Sequence, residues 1–244
     1  MTRRLDSLWF ALALIVGWQL LYEVAGDAAL SPPWQTVKRA AALLASGGFW
    51  NNAAATFEAF GWAVLLSIVL GLAIGLLLGF SKTAGQVFEP ILNTLYAVPK
   101  ITLYPVILLF FGLGLPAKVA FGTIHGIFPV VLLSMNGVHS IRPVIRKTAR
   151  ALSMGHLETI RTILLPAALP EIFSGIRIGF ALTLLGTLIG ELFASNRGIG
   201  FLLLRAADQQ DVPTTLALIM LLFALAAAAG GGLLAVDRRL HHKT

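Results

Sequence analysis

An acid, a lysine, two histidines and an asparagine stand within or beside long apolar stretches, and they bound the chemistry open to this chain. Glu191 is the only acid in the stretch 174–194. His125 and Asn136 are eleven residues apart, close to three helical turns, and so share a helix face. Tyr96, Pro99 and Lys100 sit where a polar connection enters the next apolar stretch, and His139 stands at the end of another. Ionisable and polar groups in such surroundings are costly to keep and are candidates for contact with a translocated solute. Each also has a structural reading. Glu191 could be an interfacial group or half of an ion pair, and His125 and Asn136 could hydrogen-bond a neighbouring helix. Lys100 suits an anionic solute and equally suits an orientation charge.

Other chemistries find little footing. Without cysteine there is no disulfide framework, zinc-thiolate site or thiol nucleophile. His241 and His242 have no third ligand at metal-like spacing, so no metal is expected. A phosphate-cradling loop needs Gly, four residues, then Gly-Lys-Ser or Gly-Lys-Thr. Lys147-Thr148 and Lys243-Thr244 lack those glycines, so ATP would be bound by another chain. An intramembrane enzyme would need nucleophiles, paired carboxylates or metal ligands at membrane depth. An ion-coupled secondary transporter is the alternative carrier, but it would show several acids in the spans or broken helices in repeated halves.

The elements that position these residues are membrane spans. Only 12% of the 244 residues are charged and 57% are hydrophobic, with mean hydropathy +0.85, where a soluble domain carries about 25% charged residues. The net charge of +7 would suit nucleic acid if the basic residues lay on a polar domain or stripe. They punctuate apolar runs instead, so orientation is their role and no nucleic acid is expected. A span needs about 20 apolar residues. Six stretches qualify: 7–22, the segment between Glu58 and Lys82, 101–115 with a start as early as Ile91, the segment between Lys118 and Arg142, 174–194, and 212–236. The first carries Trp9, Trp18 and Gln19 and no small-residue cleavage site, so it is expected to be retained.

Gly71, Gly75 and Gly79 recur every four residues and predict a close-packed helix face, and the Ala/Gly run 224–232 predicts another. Pro99 and Pro105 interrupt the third span and mark it as a candidate pathway wall. Arg142, Arg146, Lys147, Arg150 and Arg161 fall between spans four and five, on the same side as Arg3, Arg4, Arg238, Arg239 and Lys243. Basic residues favour the cytoplasm, which puts both termini inside and Lys38, Arg39, Lys118, Arg197 and Arg205 outside. The remaining connections, 26–58, 81–89 and 195–211, are too short for an autonomous domain. The expected fold is all-α: a polytopic membrane protein of about six helices, one domain over 1–244, with a cytoplasmic loop at about 140–170.

In that loop Ile145, Ala149 and Leu152, then Leu157, Ile160 and Leu164, repeat at helical spacing on either side of Gly155. A helix, a turn hinged on Gly155 and a second helix are expected, the last stopped by Pro166 and Pro170. Two basic amphipathic helices could simply lie on anionic lipid, but that would not require Ala151, Gly155 and Leu165-Pro166 together. The stretch ARALSMGHLETIRTILLPAALP, 149–170, resembles the cytoplasmic signature of binding-protein-dependent ABC permeases: Glu-Ala-Ala, three residues, Gly, about nine residues, Ile-x-Leu-Pro. Ala151 matches the second alanine, Gly155 the glycine, Ile163 the isoleucine and Leu165-Pro166 the ending, whereas Ala149 and Arg150 replace the glutamate and first alanine. YAVPKITLYPVILLFFGLG, 96–114, and GELFASNRGIGFLL, 190–203, are similar to the nitrate, sulfonate and taurine permease subfamily.

The resemblance implies the permease subunit of an ATP-driven importer for a small anionic solute, working by alternating access in a bacterial inner membrane. It implies a second copy of the chain, a cytoplasmic ABC ATPase dimer that binds the ATP and magnesium, and an extracytoplasmic solute-binding protein. No cofactor is implied in this chain. The expected ATPase-coupling residues are Ala151, Ser153, Met154, Gly155, His156, Leu157, Leu165 and Pro166. The pathway candidates remain Tyr96, Pro99, Lys100, His125, Asn136 and Glu191.

Overall fold

The computed structural model describes residues 2–193 and 195–241, with side chains described at all of these except 2–5, 7, 8, 146, 150, 156, 157 and 233–241. Among the described residues the regular structure is helical throughout. Helix α1 covers Thr2–Ala25, α2 Pro33–Leu44, α3 Gly47–Phe80, α4 Lys82–Ala97, α5 Tyr104–Phe111 and α6 Leu115–His139. After these come α7 Pro143–Ala151, α8 His156–Thr159, α9 Leu165–Phe193, α10 Ile199–Asp208 and α11 Val212–His241.

The centre of the bundle is α6, packed between α3 and α9. In a membrane, apolar burial does not drive helices together; close van der Waals contact between small residues does. The predicted glycine face of α3 does this work. A Cβ on Gly71 would lie 2.7 Å from Val130 Cβ, and one on Gly75 would lie 2.6 Å from the Val131 carbonyl oxygen. Gly79 meets Met135 and Val138 one turn further on. Earlier on α6, Gly122 and Gly126 sit at the three-helix junction, where they admit Thr187 and Thr183 of α9 beside Ala63 and Ser67 of α3. Ser67 of α3 donates to the Thr123 carbonyl at 3.2 Å, so this core is held by polar contacts as well as by shape.

Among the described residues four helices are long and apolar enough to cross a membrane: α3, α6, α9 with the turn before it, and α11. The third predicted span is a broken pair, α4 and the segment Lys100–Phe111, bent by 84°. The apolar part of α1, Trp9–Ala25, is shorter. The structure also corrects several expectations. Segment 26–58 is no loop: it holds α2, started by Pro33 at the first helical turn, and the first turns of α3, capped by Ser46 Oγ accepting the Phe49 N–H. Segment 195–211 contains α10, whose Ile199 and Ala206 pack with Phe49, Ala53 and Leu218.

Pro166 and Pro170 do not stop a helix. A π-helical turn over Ile160–Leu164 leads straight into α9, with Leu165 N–H bonded to the Ile160 carbonyl. The wider turn lies just ahead of Pro166, whose ring a regular turn would set against the carbonyl four residues back, whereas Pro170 is carried inside α9 itself. In the Ala/Gly run 224–232 the three glycines make no close approach to the described residues: a Cβ at Gly230, Gly231 or Gly232 would meet nothing within 4 Å. Ala194, at the end of the fifth predicted span, and His242 and Lys243 of the tail lie outside the described residues.

Candidate functional site

The break between α4 and the next helical segment is set by proline. A residue before proline is pushed out of the helical region, and Val98 adopts ψ 133, ending α4. Beyond Pro99 a tight 3-10 turn, Lys100–Leu103, forms under the Pro99 carbonyl, which accepts the Thr102 N–H at 3.0 Å and hydroxyl at 2.7 Å. Lys100 turns back and donates from Nζ to the Tyr96 carbonyl at 2.8 Å, one of the carbonyls the helix end leaves without a partner. Its ammonium lies 4.7 Å from the Tyr96 ring centre and 5.3 Å from that of Phe128 in α6, within cation–π range.

These contacts fix the level of Lys100 along α6. Phe128 is thirteen residues into the 25-residue α6, or about 20 Å from its start at 1.5 Å per residue, near its middle. The sequence places Lys100 where an inner loop enters the membrane; the structure sets it beside the middle of α6, because α4 runs along the second half of that helix, from Gly85 at His139 to Tyr96 at Phe128, before the chain bends. His125, one turn before Phe128, holds Nδ1 at 2.9 Å from the Phe121 carbonyl and lies within electrostatic reach of Lys100. It fits against α9 because Gly186 presents no side chain there. Tyr96, Pro99, Lys100 and His125 therefore gather at one level. Asn136, partly exposed, lies two turns nearer the α7 end of α6.

Glu191 belongs to a second centre at the opposite end of the bundle from α7. Its side chain has no exposed surface. The carboxylate accepts from Thr56 Oγ1 at 2.9 and 3.0 Å and from the Gly200 N–H at 2.9 Å, and it pairs with Lys118 Nζ at 3.5 Å. Lys118 also donates to the Arg197 carbonyl at 2.7 Å. Thr56 Oγ1 accepts the Ile199 N–H at 2.8 Å, and Asn52 Oδ1 accepts the Gly198 N–H at 2.9 Å. One acid thereby ties α3, α6 and α9 to the turn before α10.

Two glycines make that tie fit. A Cβ on Gly200 would lie 2.7 Å from Glu191 Cβ, and one on Gly198 would strike the carboxylate itself. Gly198 also adopts φ 131, open to glycine alone. Lys118 is only 4% exposed and is not the outer-loop charge expected of it. A cavity of about 490 Å³ opens beside the cluster, lined by Glu58, Lys118, Ser195, Asn196 and Arg197 among others.

At the other end, α7 and α8 flank a turn with the expected helix–turn–helix outline and an unexpected hinge. The left-handed residue is Ser153, at φ 51, and the Met154 N–H closes the turn on the Ala149 carbonyl at 3.1 Å. Gly155 is not left-handed and starts α8. Its carbonyl accepts the Thr159 N–H at 2.9 Å as the first helical bond, and its N–H donates to Glu158 Oε2 at 3.3 Å, the glutamate half of a capping box. A Cβ at Gly155 would meet nothing within 4 Å. Ala151, Leu152 and Ser153 are exposed and Met154 is partly so; the side chains of His156 and Leu157 lie outside the described residues. Leu165 packs toward Val138, Ala168 and Ile172, while Pro166 is exposed. Ala149, where the signature has glutamate, is 2% exposed, so this position faces the chain's interior.

Residues 67–242, well over half the chain, match the family described as binding-protein-dependent transport system inner membrane component. The chain belongs to this family. The permease is 28% identical to the taurine transport system permease protein TauC of Escherichia coli over 216 residues, covering 86% of the chain and 78% of that protein. It is 30% identical to the nitrate import permease protein NrtB of Leptolyngbya laminosa, covering 76% of the chain and 69% of that protein. Among solved structures, inward facing conformations of the MetNI methionine ABC transporter superpose with TM-score 0.69 over 78% of the permease and 96% of that chain, at 18% identity, a likeness of fold.

The permease thus has the family that its loop and flanking stretches resemble. Two residues escaped the reading from sequence. Lys118 passed as an orientation charge because it stands at a span boundary, and Thr56 because it lies outside the predicted second span. A signal for both was present in Gly198 and Gly200, whose spacing marks a backbone pressed against something.

Proposed function

We propose that the permease works as a homodimer, forming the membrane pathway of an ATP-driven importer for a small anion. Two copies of a cytoplasmic ATPase, which bind the ATP and magnesium, dock on the turn between α7 and α8. An extracytoplasmic solute-binding protein delivers solute at the end that carries the Glu191 cluster.

The observation that carries this reading is the open space at Gly155. Among the described residues, neither a left-handed backbone nor any neighbour requires glycine there. A requirement for a bare Cα then comes from a surface approaching from outside, and the exposed Leu152 and Val144, at 67% and 68%, give that surface apolar ground on the same loop. The continuous helix from the π-turn through α9 offers the transmission: a push on α8 moves a rigid rod reaching across the bundle. The anionic solute rests on the taurine and nitrate of the relatives' names and on Lys100, a cation at mid-depth.

The test is Gly155→Val in the permease assembled with the ATPase encoded beside it. The variant should fold and insert as the parent does, since the added methyls meet open space, while ATP hydrolysis no longer drives uptake in proteoliposomes. Coupled uptake at the parent rate would remove the docking assignment. Uptake that continues after the ATPase is inactivated would remove the importer reading as a whole.

A further inference from the structure

We propose that Lys100 is the anion-coordinating group of the pathway at its midpoint, holding one oxygen face of a small oxyanion against the Tyr96–Phe128 aromatic pair. This rests on the importer reading above and gives the solute a named contact. An ammonium has three donors. In Lys100 one is committed to the Tyr96 carbonyl, and two are left. Among the described residues no carboxylate lies within ion-pair distance of it; the two ion pairs there are Arg39 with Asp211 and Lys118 with Glu191. The aromatic faces orient the cation without neutralising it.

A lysine that merely marks membrane orientation reaches toward the nearest interface. Lys100 is held back at the level of Phe128, near the middle of α6, by its own carbonyl bond and by two rings. A charge at that depth is expensive unless something compensates it. Nearby His125 brings no negative charge, and Tyr96 and Phe128 are neutral, so the compensating group is a mobile one. A charge-assisted bond from two ammonium protons suits a planar or tetrahedral oxyanion such as nitrate or a sulfonate. The bend keeps the site reachable: Val98, Pro99 and Ile101 around it are exposed, and Lys100 itself is half-buried. The tether to Tyr96 also leaves the anion only part of the ammonium, so binding is weak enough for release, which a conducting site requires.

The experiment uses the full-length permease in nanodiscs, unfolded thermally at fixed ionic strength with chloride replaced stepwise by nitrate or by methanesulfonate. The parent should gain thermal stability with one of these probes. Lys100→Gln should lose that gain, with an apparent affinity at least about tenfold weaker, and Lys100→Arg should keep most of it. Equal stabilisation of parent and Lys100→Gln overturns the proposal, as does no stabilisation of the parent by either probe. Circular dichroism of Lys100→Gln checks that it is folded, and Lys100→Met serves in its place if it is not. The importer reading fails separately: Lys100-dependent anion binding with uptake indifferent to the ATPase would leave this site standing and sink the coupling.

Discussion

At Glu191 a carboxylate without exposed surface is kept in a membrane helix by three donors on three other segments. Burying a charge this fully is costly, and removing one partner of a buried pair typically costs about 3–5 kcal/mol because the other is stranded. Lys118→Met should therefore destabilise the permease by about that much in denaturant titrations in mild detergent. The double variant Lys118→Met with Glu191→Leu should recover part of the loss, since no charge is then left alone. Gly200→Ala should be damaging too, its methyl landing 2.7 Å from Glu191 Cβ, and measured stability equal to the parent would contradict the packing described. The sequence marks Glu191 as unusual, because a lone acid in an apolar run stands out. It does not mark its role, because Lys118 lies 73 positions away and nothing local links the two.

Among the elements, α11 shows how a short polar cluster anchors a long apolar helix. Asp211 stands at its start, accepting the Thr214 N–H at 3.1 Å and hydroxyl at 2.5 Å, and pairs with Arg39 of α2 at 3.6 Å. Partial burial opposes ionisation of Asp211, but the Thr214 bonds and the Arg39 guanidinium outweigh it and hold the carboxyl below its usual range. A carboxyl whose folded value is lowered stabilises the fold above its unfolded value, and that contribution fades as pH falls through the folded one. Asp211→Ala should cost about 1 kcal/mol near neutrality as a lost helix cap. The gap between the variant and the parent should close on acidification below about pH 4, read as converging melting temperatures. The long helices were legible from hydropathy and glycine spacing. Helices α2 and α10 were not, being too short to stand out as spans, and Pro166 and Pro170 misled because the chain runs through both, Pro166 just after a π-turn and Pro170 inside α9.

For the whole molecule, the absence of cysteine makes topology directly measurable. A single cysteine at Met154 should react with an impermeant maleimide only in inverted vesicles, and one at Asn196 only from the outer side. The reverse pattern would overturn the orientation drawn from the basic loop. Cross-linking of the full-length chain in the membrane should give a dimer, and a strictly monomeric permease in the active complex would contradict the proposed assembly. The sequence by itself determined membrane residence, the six apolar stretches and the family, because hydropathy, charge bias and the loop signature are properties of neighbouring residues. Only the tertiary structure decided that Lys100 stands beside the middle of α6, that Glu191 meets Lys118, and that the bare Gly155 faces outward while Ser153 makes the turn. Depth and pairing depend on where helices bend and which small residues let them close, and those are contacts between segments that no local pattern specifies.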